Sequence, residues 1–256
     1  MTEKNDKIAF IGDIHGCIDE FKELVGLLKS QGISNIWHCG DLVDRGPSSG
    51  DVIQFCIDNK INGVLGNHDY GAINIWNLAV NAPEFNPKKK DKAQTLSQLN
   101  QERVDYLKDL PLLYVFDEIK TILVHGGLVN GINIEGQPKS IMNLQLINKE
   151  HFGHSRWFNK DKKGTTEQEY RAQGWERWYR LWDGDYNVVF GHSGFINPLI
   201  YTTKKGFKCI GIDTGCCFGR DLTALIMPDM IFLKVPAKNL LKDKDEYLAE
   251  FGGVEN

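Results

Sequence analysis

The sequence has no long hydrophobic run, no C-x-x-C cysteine pair and no surplus of positive charge. Each absence removes a class of function. A membrane-spanning helix needs about 20 consecutive apolar residues, and no segment approaches that length. The first apolar segment follows the mixed-charge stretch MTEKNDK and is only a few residues long, too short for the core of a secretory signal, so a cytoplasmic protein is expected. Cys17, Cys39, Cys56, Cys209, Cys216 and Cys217 form no C-x-x-C pair and no disulfide-framework spacing, and are read as buried free thiols. A formal net charge of -4 gives no overall attraction to nucleic acid or to an anionic membrane, so neither is expected as a partner. Any phosphate must be bound by local cations.

What the chain does have is a repeated punctuation. Six times a short apolar run ends at glycine and a hard, metal-binding side chain: FIGDIHG at 10–16, CGDLVDRG at 39–46, LGNHD at 65–69, VHGG at 124–127, FGHSG at 190–194 and GIDTG at 211–215. With 256 residues, 41% of them hydrophobic, there is ample material for one core, and a single domain over 1–256 is expected. KIAFI at 7–11 reads as a strand. Ile18, Phe21, Leu24, Val25 and Leu28 lie on one face of a helix, NIWHCG at 35–40 is a second strand, a helix follows the Pro-Ser-Ser turn, and INGVLG at 61–66 is a third strand. Such a βαβαβ run implies a largely parallel sheet with right-handed crossovers, and ligands gather outside the carboxyl ends of its strands. The first three motifs fall there.

Residues 70–109 read as helical with a break near NAPEFNPKKK, and residues 112–126 as two strands around a turn at Asp117–Lys120. VVFGH, PLIYTT, FKCIGIDTG, LTALIM and MIFLKV suggest an antiparallel meander. The polar, tryptophan-rich segment 130–186 is expected to form a variable helical cap over one mouth of the sheet. Trp175, Trp178, Tyr179 and Trp182 have the spacing of one helix face. Core packing is their expected use. A stacking platform for an adenine base, flanked by Arg171, Arg177 and Arg180, is the alternative.

Hydrolysis of a phosphate ester needs an activated water, neutralised phosphoryl oxygens and help for the leaving oxygen, and two divalent metals about 3.5–4 Å apart supply the first two. Asp13 and His15 can face one metal, Asp41 can bridge, and Asn67, His125 and His192 can complete the second. Asp, Asn and His donors without cysteine suit two ions of manganese, with iron or zinc as alternatives, rather than a structural zinc.

The ordered series GDIHG, GDLVDRG, GNHD, HGG and GH resembles the signature of the phosphoprotein phosphatase family of metallophosphoesterases. That family includes serine/threonine protein phosphatases and symmetrical diadenosine tetraphosphate hydrolases. The resemblance implies an α/β sandwich of two mixed sheets flanked by helices. It also implies that Asp13, His15 and Asp41 hold the first metal, and Asp41, Asn67, His125 and His192 the second. His68 would be the general acid, oriented by Asp44, while Arg45 and Asn67 would bind the phosphoryl oxygens. Transfer would run in line to a metal-bound hydroxide, with no phosphoenzyme. The family usually carries Glu where this chain has Asp69, and a second phosphate-binding arginine, for which Arg177 and Arg180 compete.

A phosphorylated protein is the leading substrate on this reading, a dinucleoside polyphosphate the alternative, and a catalytically dead binding module the third. The sequence carries no statement of oligomeric state. His38, His151 and His154 lie in no motif and are read as structural, Asp213 as fixing a loop, and KKKDK at 88–92 as a solvated loop.

Overall fold

The computed structural model describes residues 7–148, 155–156 and 167–238. The first half runs β1 (Ile8–Ile11), α1 (Ile18–Ser30), β2 (Asn35–His38), α2 (Ser49–Asn59), β3 (Asn62–Gly63), α3 (Asn67–Asn81), α4 (Lys90–Ser97), α5 (Gln101–Asp109), β4 (Leu113–Phe116) and β5 (Thr121–Val124). The second runs β6 (Leu146–Asn148), β7 (Ser155–Arg156), α6 (Glu167–Ala172), β8 (Trp175–Arg177), α7 (Trp178–Leu181), β9 (Asn187–Phe190), β10 (Leu199–Thr202), β11 (Lys208–Gly211), β12 (Asp221–Met227) and β13 (Ile231–Pro236).

Two mixed five-stranded sheets form the body, ordered β13-β12-β1-β2-β3 and β10-β11-β9-β5-β4. Strand alternation explains how they meet. Ile8 and Phe10 point into the seam with Leu225 and Met227 of the same sheet and with Leu123, Val189 and Ile210 of the other. The odd partners Ala9 and Ile11 face outward under Phe21, Leu24 and Leu28 of α1, Val52 and Ile53 of α2, and Leu107 of α5. On the far face of the second sheet, Ile122, Val124, Val188 and Phe190 are covered by Trp178, Tyr179 and Trp182. The chain is thus one domain of two mixed sheets with flanking helices. Among the described residues no helix is long and apolar enough to cross a membrane.

The parallel strands are β1, β2 and β3 in one sheet and β5, β9 and β11 in the other. Each of the six motif loops follows the carboxyl end of one of them, so all six gather at one edge of the sandwich.

Several expectations change. The carboxyl-terminal strands are not a meander, because β9 pairs in parallel with β11 and with β5, while β12 and β13 join the other sheet. In its described part, the segment 130–186 does not form the expected helical cap. That part holds the small antiparallel sheet β7-β6-β8, short 3-10 turns and the brief α6 and α7. Trp175 belongs to β8, not to a helix, and is buried like Trp178, Tyr179 and Trp182, which leaves no stacking platform. Residues 61–66 give only a two-residue strand. All six cysteines are buried and free. His38 is buried, bonded to the Tyr106 hydroxyl at 3.0 Å, whereas His151 and His154 lie outside the described residues.

Candidate metal centre

Of the eight non-glycine residues in the left-handed backbone region among those described, five are His15, Asp41, Asp44, Arg45 and His192. That conformation costs an ordinary L-residue about 1–2 kcal/mol, and its concentration in the motif loops marks strain held by the surrounding fold. Backbone hydrogen bonds hold it. The amides of Ile14 and His15 donate to the Asp41 carbonyl at 3.2 and 2.9 Å, and Gly46 donates to the His15 carbonyl at 3.0 Å. Glycine is needed where loops touch: a Cβ on Gly66 would lie 2.2 Å from Asp41 Oδ1, and one on Gly191 would lie 2.0 Å from Asp13 Oδ1.

Within the motif loops two groups of donors built on Asp41 have all their ligand atoms within 4.8 Å of one another, His15 with Asp41 and His68, and Asp41 with His125 and His192. Asp41 belongs to both. Its Oδ1 accepts the His68 amide at 2.8 Å, and its Oδ2 lies 3.5 Å from His15 Nε2 and 3.4 Å from His125 Nε2. That is the position of a bridging carboxylate. Asn67 Oδ1 joins the second group, 3.0 Å from His125 Nε2 and 2.9 Å from His192 Nδ1. Asp13 is a member of neither group. Its carboxylate accepts the His192 amide, at 3.0 Å to Oδ2, so it ties the first loop to the fifth.

The imidazoles are held for coordination. His15 and His125 each donate through Nδ1 to a backbone carbonyl, of Val43 and Cys39 respectively, at 2.8 Å. The Nε2 atoms then point inward. Burial, then the Arg45 charge, lowers His15 well below its usual range, and burial followed by His125 brings His192 to about 3. Burial also opposes charge on His125, but Asp41 and Asp13 outweigh it and raise that ring to about 10. For Asp41, burial would raise the carboxyl, yet His125, His68 and His15 hold it well below the usual carboxylate range. Asp13 moves up through burial and the neighbouring Asp213. Neutral imidazole nitrogens, an amide oxygen and a carboxylate oxygen therefore crowd one space with little but a proton on His125 between them. A divalent cation satisfies such acceptors far better, so the donor set fits a metal pair.

Beside this cluster stands His68. Its Nδ1 donates to Asp44 Oδ2 at 2.6 Å, and its Nε2 lies 3.5 Å from an Arg45 terminal nitrogen. Asp44 is fully buried; Thr95 donates to its Oδ1 at 2.8 Å, and Lys92 forms an ion pair with the same Oδ2 that His68 uses. Burial would raise this carboxyl, but His68 and then Lys92 bring it to about 2. The Arg45 guanidinium lies 4.9 Å over the Phe218 ring, and its buried Nε has no hydrogen-bond partner.

Comparison with known proteins agrees with this geometry. The family model described as calcineurin-like phosphoesterase matches residues 6–228. The chain belongs to that family. The phosphoesterase is 28% identical, over 89% of its length and 93% of theirs, to the symmetrical bis(5'-nucleosyl)-tetraphosphatase of Serratia proteamaculans. It is 25% identical, over 95% and 97%, to the enzyme of the same name from Baumannia cicadellinicola. In fold it is similar to a crystal structure assigned provisionally as a diadenosine tetraphosphatase, with a TM-score of 0.71, 24% identity and coverage of 93% and 97%. The phosphoesterase is accordingly a hydrolase of phosphate esters from a family that uses divalent metals.

Arg177 is buried, and Arg180 faces Glu176 at 3.8 Å, a carboxylate that also pairs with Arg171 at 3.2 Å. Their segment is pinned to the metal loops through Trp178, whose ring would meet a Cβ on Gly127 at 2.4 Å. Sequence reasoning missed Lys92, which leaves the expected solvated run at 88–92, and Thr95 beyond that run; both reach Asp44 from α4. Their spacing of three, which puts both on one face of a helix, was the available signal. The shorter carboxylate of Asp69 is expected to change the support around the ligands and not to cost metal binding. It accepts the amides of Asp41, Leu42 and Gly66 at 2.8, 2.9 and 3.1 Å and clamps the second loop to the third. Asp213 holds its loop, as expected, by accepting the Gly215 amide at 3.0 Å.

Proposed function

We propose that the phosphoesterase cleaves symmetrical dinucleoside tetraphosphates, with diadenosine tetraphosphate as the representative substrate, into two nucleoside diphosphates. The observation that carries this reading is the likeness to two enzymes named for that reaction along about nine-tenths of their lengths and of this chain. Metal loops alone would not extend so far. A phosphoprotein substrate, the first expectation from the motifs, moves behind it. The full set of donors speaks against a dead binding module.

Two divalent ions, manganese in our assignment, would activate the attacking water and neutralise phosphoryl oxygens. Asp13, His15 and Asp41 would hold one, and Asp41, Asn67, His125 and His192 the other. The Arg45 guanidinium, with its unpartnered buried Nε, is ready to grip the phosphoryl group, helped by the Asn67 amide. Of the two candidate arginines, Arg180 keeps part of its side chain open to solvent, whereas Arg177 is buried, so Arg180 is assigned as the second phosphate ligand. His68 would be the general acid for the leaving oxygen of an ester, and Asp44 keeps its ring turned.

The test is turnover of diadenosine tetraphosphate against a phosphothreonine peptide, with the products resolved by chromatography. ADP as sole product, formed faster than peptide phosphate is released, is expected. Faster peptide turnover, or AMP with ATP as products, would overturn the assignment.

A further inference from the structure

Lys92 is not among the residues that the family motifs carry, yet its ammonium ends at the acid dyad. It shares Asp44 Oδ2 with His68, and its side chain remains 22% exposed beside a carboxylate that is wholly buried. His68 likewise keeps part of its side chain, 16%, open to solvent. The Lys92 ammonium rests against the start of α3, where a Cβ on Gly71, the fifth residue of that helix, would lie 3.3 Å from Nζ. A second ammonium, on the exposed Lys139, lies 3.7 Å over the neighbouring Tyr70 ring. Asp44 would not be orphaned if Lys92 turned away, because His68 Nδ1 and Thr95 Oγ1 still donate to its two oxygens.

We infer that Lys92 is a specificity-determining residue that exchanges Asp44 for the departing phosphate of a polyphosphate chain. This rests on the tetraphosphate reading above. The two kinds of leaving group need different help. An alkoxide from an ester requires a proton. A phosphate departing from an anhydride is already a stable anion and gains most from a fixed positive charge. In the step, the bond from water oxygen to phosphorus forms and the bond from phosphorus to the bridging oxygen breaks. The electron pair stays on that oxygen, Lys92 donates hydrogen bonds to the new terminal phosphate, and the proton of the water passes to solvent. A phosphothreonine peptide has no second phosphate for Lys92 to hold.

The experiment compares wild type with Lys92→Met and Lys92→Arg, each first checked for metal content and thermal midpoint. One lost charge-assisted contact amounts to roughly 10-fold or more. Lys92→Met is expected to lower kcat/KM for diadenosine tetraphosphate by about that factor while changing phosphothreonine turnover by less than about 2-fold. It should also weaken the inhibition of para-nitrophenyl phosphate hydrolysis by tripolyphosphate, measured at constant free metal, and Lys92→Arg should restore most of both. Equal losses on tetraphosphate and phosphothreonine with unchanged tripolyphosphate inhibition would reduce Lys92 to a support for Asp44 and overturn the proposal. No loss on either substrate would overturn it too. If wild type leaves diadenosine tetraphosphate intact, the substrate reading fails alone, and the tripolyphosphate competition decides the role of Lys92.

Discussion

Replacing Asp44 with asparagine removes one negative charge from a buried carboxylate that serves three donors. The native group sits at about 2, against an ordinary 3.8, and that displacement is worth about 2 kcal/mol of folding stability at neutral pH. The sign follows from its direction. A carboxyl lowered in the folded state contributes fully above about 3.8 and loses the contribution as pH falls through about 2. The penalty of Asp44→Asn should therefore be flat between pH 5 and 8, and for a chain of this size it corresponds to a drop in midpoint of roughly 4–8 °C. Function should suffer more than stability. The amide can still accept from His68 Nδ1, but as a neutral and weaker acceptor it holds the ring less firmly, and loss of an effective general acid costs about 10²-fold or more on esters with poor leaving groups. Denaturant titration from pH 5 to 8 and turnover of a phosphothreonine peptide check both parts. A penalty below about 0.5 kcal/mol, or one that varies across that pH range, would refute the picture of a strongly ionised Asp44 held by His68 and Lys92.

Asp41→Asn should abolish turnover and leave fewer than two metal ions per chain by elemental analysis, because its Oδ2 faces both His15 and His125. In metal-free protein, the protonated His125 contributes stability that is complete below its ordinary 6.5 and disappears as pH rises through about 10. Denaturation curves should show that decline, and manganese, which displaces the proton, should flatten it. Calorimetry at pH 8 in two buffers of different ionisation enthalpy should then report net proton release on binding. Gly66→Ala places a Cβ 2.2 Å from both the amide nitrogen and Oδ1 of Asp41. It should cost about 1–3 kcal/mol and weaken metal binding, read by equilibrium dialysis.

The candidate site was legible because its chemistry is local: each motif sets its ligands beside glycine at the end of an apolar run, and a parallel strand delivers its carboxyl end to a common edge. Strand pairing was not legible, since β9 lies between β5 and β11 through contacts that no short sequence window contains. The aromatic spacing at Trp175, Trp178, Tyr179 and Trp182 suits a helix. Pairing of β8 with β6 overrides it and draws Trp175 into a strand beside the buried Leu146. Lys92 meets a partner 48 residues away, and the periodicity of α4 says nothing of that distance. Left-handed backbone at His15, Asp41 and His192 is equally silent in sequence, because these residues are not glycine and the surrounding loops impose the shape.

The carboxylate of Asp41 takes its neighbours from both halves of the sandwich, His15 from the loop after β1 and His125 from the loop after β5. Metal uptake in this chain is consequently a gauge of assembly. A folding intermediate with only one sheet formed would own a fraction of the donors and hold the ions weakly. Loading should arrive last during refolding, so time-resolved incorporation would register closure of the two halves, and a chain damaged on either side would lose its ions before it lost its helices.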